Sequence, residues 1–263
     1  MDFSKVTDIT IPNGVVLKIT SNGVVLWEKQ DTNSNILLYK NCNDLGGIIE
    51  VNTMYLKNNS IVSNTYKNGQ GEIVFEKKLT EIWSNAFYNK DSLSEIIIPS
   101  SVKTIQGQAF YDCSNLVYIE IPNSVTSIGS YAFYACTKLK SIQLPNNITT
   151  ISRSTFEYCL SLENVEIPNS VTTIENGVFY NCKQLSELTI PEKVTSIGGG
   201  VFMGCPNFSK LKSLNPIAPT IQSNTFEGVS NYGTLYIPKN ASGYDVWIEQ
   251  LRSISYYWSI EYI

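Results

Sequence analysis

The chain contains no histidine, six cysteines and more acidic than basic residues, and these residue types limit the chemistry that it can support. Histidine is the commonest general base and the commonest ligand of transition metals, so its absence argues against catalysis and against a metal centre. The formal net charge of -4 argues against nucleic acid, because a phosphate-binding face needs clustered lysine and arginine. We therefore predict a non-enzymatic protein with no cofactor, no metal and no nucleic acid partner.

Five of the six cysteines recur at intervals of 23 residues, and Cys42 lies outside the series. Such spacing indicates one position of a repeated unit, where cysteine serves as a small buried residue. Zinc or disulfides are the alternative, but side chains at one register of a stack point in parallel and give poor geometry for an S–S bond. We predict buried core thiols at Cys113, Cys136, Cys159, Cys182 and Cys205.

Two carboxylates, Glu120 and Glu166, lie two repeat units apart and suggest hydrolysis as a further alternative. At a strand spacing of about 4.8 Å, their backbones would be ~9.6 Å apart, near the separation that inverting glycosidases use. The chain has no glycine-rich phosphate loop, nucleophile elbow or calcium loop to accompany them. The simpler interpretation is a pair of solvated acids.

The elements that position these residues are copies of one 23-residue unit, in which apolar residues keep fixed places. One copy cannot bury so many apolar side chains, so the core forms only between stacked neighbours, as in a solenoid. We predict a strand before each recurring proline, an extended or turn-like segment after it, and a helical or 3₁₀ turn at Ala-Phe-x-x-Cys. The core phenylalanines are Phe87, Phe110, Phe133, Phe156, Phe179 and Phe202.

The unit Leu-x-x-Ile-x-Ile-Pro-x-x-Val-x-x-Ile-Gly-x-x-Ala-Phe-x-x-Cys resembles the leucine-rich repeats of BspA-like bacterial surface proteins. The resemblance covers residues 79 to about 228. It implies a mainly β leucine-rich repeat solenoid with short helical turns and about six to seven coils, closed by caps at both ends. It also implies a habit of binding, although a fold alone supplies no chemistry.

Four segments follow from the limits of the repeats. Residues 1–30 are predicted to form a β-hairpin module, because Ser21-Asn22-Gly23 separates two apolar strands. This module resembles the N-terminal modules of surface and phage structural proteins of Firmicutes. Residues 31–78 form the N-terminal cap, residues 79–228 the solenoid, and residues 229–263 a strand-helix-strand C-terminal cap.

Within the N-terminal cap, strands are predicted at Ile36–Tyr39, Gly47–Val51 and Ile61–Tyr66. Glu72–Glu76 is predicted to take the place of the first repeat strand. The cap is needed because the first coil would otherwise expose an apolar end.

The outward side chains of the repeat strands vary between copies, although the inward ones do not. Leucine-rich repeats commonly bind on this strand face, so the resemblance makes these twelve positions the first candidate site. A solvated sheet without a ligand is the alternative. The first ladder is Glu95, Tyr118, Ser141, Asn164, Glu187 and Lys210, and the second is Ile97, Glu120, Gln143, Glu166, Thr189 and Lys212.

A second candidate site is the residue that follows each core phenylalanine, which is tyrosine in four copies. Tyrosine supplies contact area and a hydroxyl at low entropic cost, and stacked tyrosines can equally be structural. The ladder comprises Tyr88, Tyr111, Tyr134 and Tyr180, with a break at Glu157.

These features predict a binding or adhesion protein that presents its repeats to a protein or glycan partner outside the cell. The alternative is a structural or receptor-binding component of a phage virion, docked or oligomerised through residues 1–30. The start of the chain has neither a basic region nor an apolar run, so we expect no signal peptide, and no run of about 18 apolar residues predicts membrane insertion. The expected location is the cell surface, the extracellular space or a virion.

Overall fold

The computed structural model describes residues 16–21, 24–29, 34–42, 47–254 and 257–263, the first two ranges as backbone only. The strands β1 (Val16–Ser21) and β2 (Val24–Lys29) pair antiparallel, from Val16 opposite Lys29 to Ser21 opposite Val24. This register is that of the hairpin expected from the sequence. The predicted turn at Asn22-Gly23 and the segment before Val16 lie outside the described residues.

The N-terminal cap is an antiparallel sheet of β3 (Ile36–Asn41), β4 (Ile61–Lys67) and β5 (Gln70–Phe75). Strand β3 also pairs antiparallel with the first long repeat strand, so β3 and not β5 lies beside the solenoid. The assignment of Glu72–Glu76 as a first repeat strand was therefore wrong. Asn68 and Gly69, at φ values of 52° and 78°, form a hairpin loop between β4 and β5, and such a loop dictates antiparallel pairing.

The predicted strand at Gly47–Val51 is absent from the described cap, where this segment is irregular. Hydrogen bonds to side chains replace the backbone hydrogen bonds that a strand would make here. The backbone N–H of Ile49 donates to the Tyr39 hydroxyl at 3.1 Å, and the Asn64 amide donates to the Ile49 carbonyl at 2.9 Å. Because its backbone groups are satisfied in this way, Ile49 is buried without joining a sheet.

Each coil of the solenoid carries one longer and one two-residue strand, and equivalent strands stack in parallel at the 23-residue register. The longer strands are β7 (Leu93–Ile97), β9 (Tyr118–Glu120), β11 (Ser141–Gln143), β13 (Asn164–Glu166), β15 (Glu187–Ile190) and β17 (Lys210–Ser213). The short ones are β6 (Glu81–Ile82), β8 (Thr104–Ile105), β10 (Ser127–Ile128), β12 (Thr150–Ile151), β14 (Thr173–Ile174) and β16 (Ser196–Ile197). The predicted leucine-rich repeat solenoid is confirmed.

The segment Ala-Phe-x-x-Cys forms a series of tight turns, and no described coil contains the helical or 3₁₀ turn expected there. In one coil the N–H groups of Ala132, Tyr134 and Cys136 bond to carbonyls three residues back, whereas those of Tyr131 and Ala135 bond to the next coil. Every second backbone N–H therefore bonds to the neighbouring coil, and a continuous helical turn cannot form. Tyr131 and Ala135 have φ values of 60° and 54°, as the third residue of a type II turn requires.

The core contains a column of seven phenylalanines, one from each successive coil between Phe87 and Phe226. Ring centroids of successive residues from Phe87 to Phe226 lie 5.2 to 6.2 Å apart, with planes within 15° of parallel. Beside this column lie the five recurring cysteines, which are buried as predicted. Each thiol donates to the carbonyl of a phenylalanine in the preceding coil, as Cys159 does to Phe133 at 3.1 Å.

The C-terminal segment is strand, helix and strand, as expected: β18 (Tyr232–Ile237), α1 (Asp245–Ile254) and β19 (Tyr257–Tyr262). Strand β18 pairs in parallel with β17, and β19 with β18, so the segment continues the stack. The solenoid therefore has about eight turns instead of the six to seven expected. The helix α1 buries the side chains of Trp247 and Leu251 on one face. The centroid of the Trp247 ring lies 5.7 Å from that of the Phe226 ring.

Candidate binding surfaces

The strand face brings the two predicted ladders into register. Glu95 lies opposite Tyr118 and Ile97 opposite Glu120. In the later coils Ser141 pairs with Asn164, Gln143 with Glu166, Glu187 with Lys210, and Thr189 with Lys212. The twelve side chains thus follow two parallel rows on the solenoid, and Tyr118, the one aromatic residue among them, is 48% exposed.

The hydrogen-bonded sheet behind this face is divided into three parts. One sheet ends at β9, a second comprises β11 and β13, and a third begins at β15. A groove of about 620 Å³ lies across the division between β13 and β15 and extends to β17. Six predicted site residues line it, namely Asn164, Glu166, Glu187, Thr189, Lys210 and Lys212.

The groove carries both signs of charge. Glu187 and Lys210 form an ion pair at 2.9 Å, and the hydrogen bond that Lys210 donates to this carboxylate raises the pKa of Lys210. Both side chains are more than half exposed, so the pair contributes little to stability. Glu166 and Lys212 stand two coils apart on the other row and flank Thr189. The groove therefore presents a carboxylate towards one end and an ammonium group towards the other.

At the N-terminal end of the face, Glu95 pairs with Lys40 of β3 at 2.6 Å. Glu120 does not line the groove that contains Glu166, and β11 lies between their strands. The structure therefore does not assemble these two acids into one cleft. Among the described residues, no three side chains of the metal-binding types form a cluster.

The face extends beyond the residues that the sequence indicated. Thr234 and Tyr236 of β18 continue the two ladders, and Ser259 and Glu261 of β19 follow them in register. Tyr232 and Tyr257 stack at 4.9 Å on the same side and are 63% and 65% exposed. The motif Leu235-Tyr-Ile-Pro238 was the available signal, but this copy lies 24 residues after β17 and breaks the period.

The predicted tyrosine ladder forms a continuous surface strip. Tyr88 stacks on Tyr111 at 4.9 Å and Tyr111 on Tyr134 at 4.4 Å. Glu157 interrupts the register, but the ring of Tyr158 occupies the gap, 5.6 Å from Tyr134 and 5.7 Å from Tyr180, in edge-to-face contacts. Sequence periodicity missed Tyr158 because it lies one position later. We call Tyr88, Tyr111, Tyr134, Tyr158 and Tyr180 the tyrosine ribbon.

Comparison with known proteins identifies the family. The sequence model of the BspA type leucine rich repeat region matches in six copies, over residues 59–164 and 149–254. The chain belongs to the BspA-type leucine-rich repeat family. None of the curated proteins compared with it matches. Proteins of this type are typically exposed at the cell surface, and they are generally non-enzymatic binding proteins.

Two solved structures resemble this BspA-type protein over most of its length. A T. pallidum leucine rich repeat protein is 27% identical with a TM-score of 0.52, over 72% of this chain and 82% of that one. A leucine rich cell surface protein from Faecalibacterium prausnitzii is 30% identical with a TM-score of 0.52, over 70% of this chain. The match spans only 54% of the Faecalibacterium chain. In the part of the chain that the structure describes, no helix is long and apolar enough to cross a membrane.

Proposed function

We propose that this BspA-type protein is a non-enzymatic binding or adhesion protein that presents its strand face to a protein or glycan partner outside the cell. The observation that carries the proposal is the groove across β13, β15 and β17, because it gathers six of the varied side chains in one concavity. Specific polar groups in a concave site are what orient a ligand. The family and the cell-surface relative support the location.

The test is a binding screen against extracellular matrix proteins, bacterial surface proteins and glycans, followed by variants of the groove. Lys212→Glu reverses a charge in the groove. We expect it to lower the affinity for the tightest-binding partner by about tenfold, or ~1.4 kcal/mol. Lys193→Glu makes the same change at an exposed turn that does not line the groove and should leave affinity unchanged. No partner in the screen, or equal effects of both variants, would overturn the proposal.

A second candidate is docking through residues 1–30 into a virion or a comparable assembly. Its support is that β1 and β2 form a two-stranded sheet of their own, and an isolated hairpin is only marginally stable in water. We expect the native mass to correspond to an oligomer and to fall to that of a monomer when residues 1–30 are deleted. An unchanged mass would count against this candidate.

A further inference from the structure

The tyrosine ribbon is not required by the packing of the coils. The residue after the core phenylalanine is Glu157 in one coil and Glu227 in another. The core stacks equally well there: the Phe133 and Phe156 rings lie 5.7 Å apart at 4°, and those of Phe202 and Phe226 lie 5.7 Å apart at 2°. Tyrosine at this position therefore needs an explanation outside the core.

The repair of the ribbon at Tyr158 requires an unfavourable backbone conformation. Tyr158 has a φ of 61°, in the left-handed region that a bulky side chain disfavours. Five of the six equivalent residues in the other coils are asparagine, aspartate or glycine, which tolerate this conformation: Asn89, Asp112, Asn181, Gly204 and Gly228. The turn imposes a positive φ at this position of the coil, so the choice of tyrosine here costs stability and keeps the surface strip continuous.

The ribbon lies among carboxylates. Burial, the neighbouring Tyr111 and the Glu157 carboxylate raise the pKa of Tyr134 to about 12. Burial also raises the pKa of Tyr111, and its neighbours Tyr88, Asp112 and Glu157 add to the shift. At neutral pH both phenols remain protonated. The strip therefore offers ring edges, hydroxyl groups and negative charge.

We propose that the tyrosine ribbon, with Asp112 and Glu157, binds an arginine-bearing segment of a protein partner. Guanidinium groups donate hydrogen bonds to phenol hydroxyls and paired hydrogen bonds to carboxylates, whereas lysine is a compact, strongly hydrated charge. Tyrosine and arginine also dominate the residues that carry binding energy at protein interfaces. Five coils span about 19 Å at the strand spacing, enough for roughly six extended residues. This surface is additional to the strand face and does not depend on its use.

The decisive variant is Tyr158→Asn in the full chain, because it separates binding from folding. Asparagine occupies this register at Asn181, so the melting temperature should change little, because relief of the left-handed conformation offsets the two lost ring contacts. The ribbon is nevertheless interrupted, and affinity for a peptide of alternating arginine and glycine should fall about three- to fivefold, as expected for the loss of one hydrogen bond to a phenol hydroxyl. Tyr118→Asn, on the strand face, is the matched control and should not change that affinity.

Calorimetric titration with matched lysine and glutamate peptides tests the chemistry of the partner. We expect the arginine peptide to bind best, the lysine peptide more weakly and the glutamate peptide not at all. A lower melting temperature with unchanged peptide affinity in Tyr158→Asn would assign the ribbon a structural role and overturn the proposal. No binding of the arginine peptide, or equal binding of the lysine peptide, would overturn it as well. Partners bound through the strand face should be insensitive to Tyr158→Asn, so either proposal can fail alone.

Discussion

The phenylalanine column and the tyrosine ribbon come from adjacent residues of the same coils, yet they differ in regularity. The column is unbroken from Phe87 to Phe226, whereas the ribbon loses its register at Glu157 and continues through Tyr158. A core ring is enclosed by close-packed neighbours on all sides, so its place cannot shift. A surface ring is bounded by solvent on one side, so a neighbouring residue in the sequence can place a ring at the same point of the surface. In this chain, a residue type that recurs without exception therefore indicates close packing in the core. A residue type that shifts by one position is found at the surface.

The sharpest test of the column is Phe133→Ala. The ring is fully buried between Phe110 and Phe156, so truncation should lower the free energy of unfolding by about 3–5 kcal/mol. Urea unfolding gives the change, and hydrogen exchange should show faster opening of the two adjacent coils. A loss as small as that of a surface tyrosine would contradict the assigned difference between column and ribbon.

The buried thiols beside the column should make the fold sensitive to alkali. Burial raises the pKa of Cys113 from 9.0 to about 12, so the folded protein keeps this proton while the unfolded chain releases it above about pH 9. Stability is therefore full below pH 9 and falls between about pH 9 and pH 12, by about 1.4 kcal/mol per pH unit for this thiol. Urea unfolding of wild type and Cys113→Ala across that range measures it. Parallel pH profiles for the two proteins would contradict the prediction.

Within the ribbon, Tyr134→Ala should have a smaller effect than the change in the column. The ring is partly exposed and contacts Tyr111 and Tyr158, and each such aromatic pair contributes about 0.5–1.5 kcal/mol. We expect a loss of about 1–2 kcal/mol in urea unfolding. Tyr88→Ala, at the end of the ribbon, is the control and should cost less, because its ring has one stacked neighbour in the ribbon. Equal losses in the two variants would show that the ribbon does not pack as a strip.

The smallest expected effect is a gain. The double variant Glu157→Tyr with Tyr158→Asn moves the ring back into register and removes a bulky residue from a φ of 61°. Stability should rise by up to about 1 kcal/mol, since the left-handed conformation costs roughly 1–2 kcal/mol in a residue with a side chain. A higher melting temperature checks this. A loss would show that the ring at 158 makes contacts that the register position cannot replace.

Periodicity was sufficient to predict the interior of the fold and insufficient at its irregular points. The recurring Phe, Pro and Cys positions are sufficient to indicate the stack, the buried thiols and the two outward ladders. Three features depart from the 23-residue period. They are the antiparallel pairing of β3 with β7, the repeat at β18 that is one residue late, and the position of the Tyr158 ring. A rule based on period cannot indicate residues that break it.

The sequence by itself determined the repeat, the side chains that face inward, and thus the family, because each coil must bury the same apolar positions against its neighbours. Only the tertiary structure decided where the sheet divides, which varied residues meet in a groove, and that a strained tyrosine completes the ribbon. These features depend on contacts between coils and on alternate amides bonding across the stack. Such contacts involve residues far apart along the chain, and no local pattern encodes them.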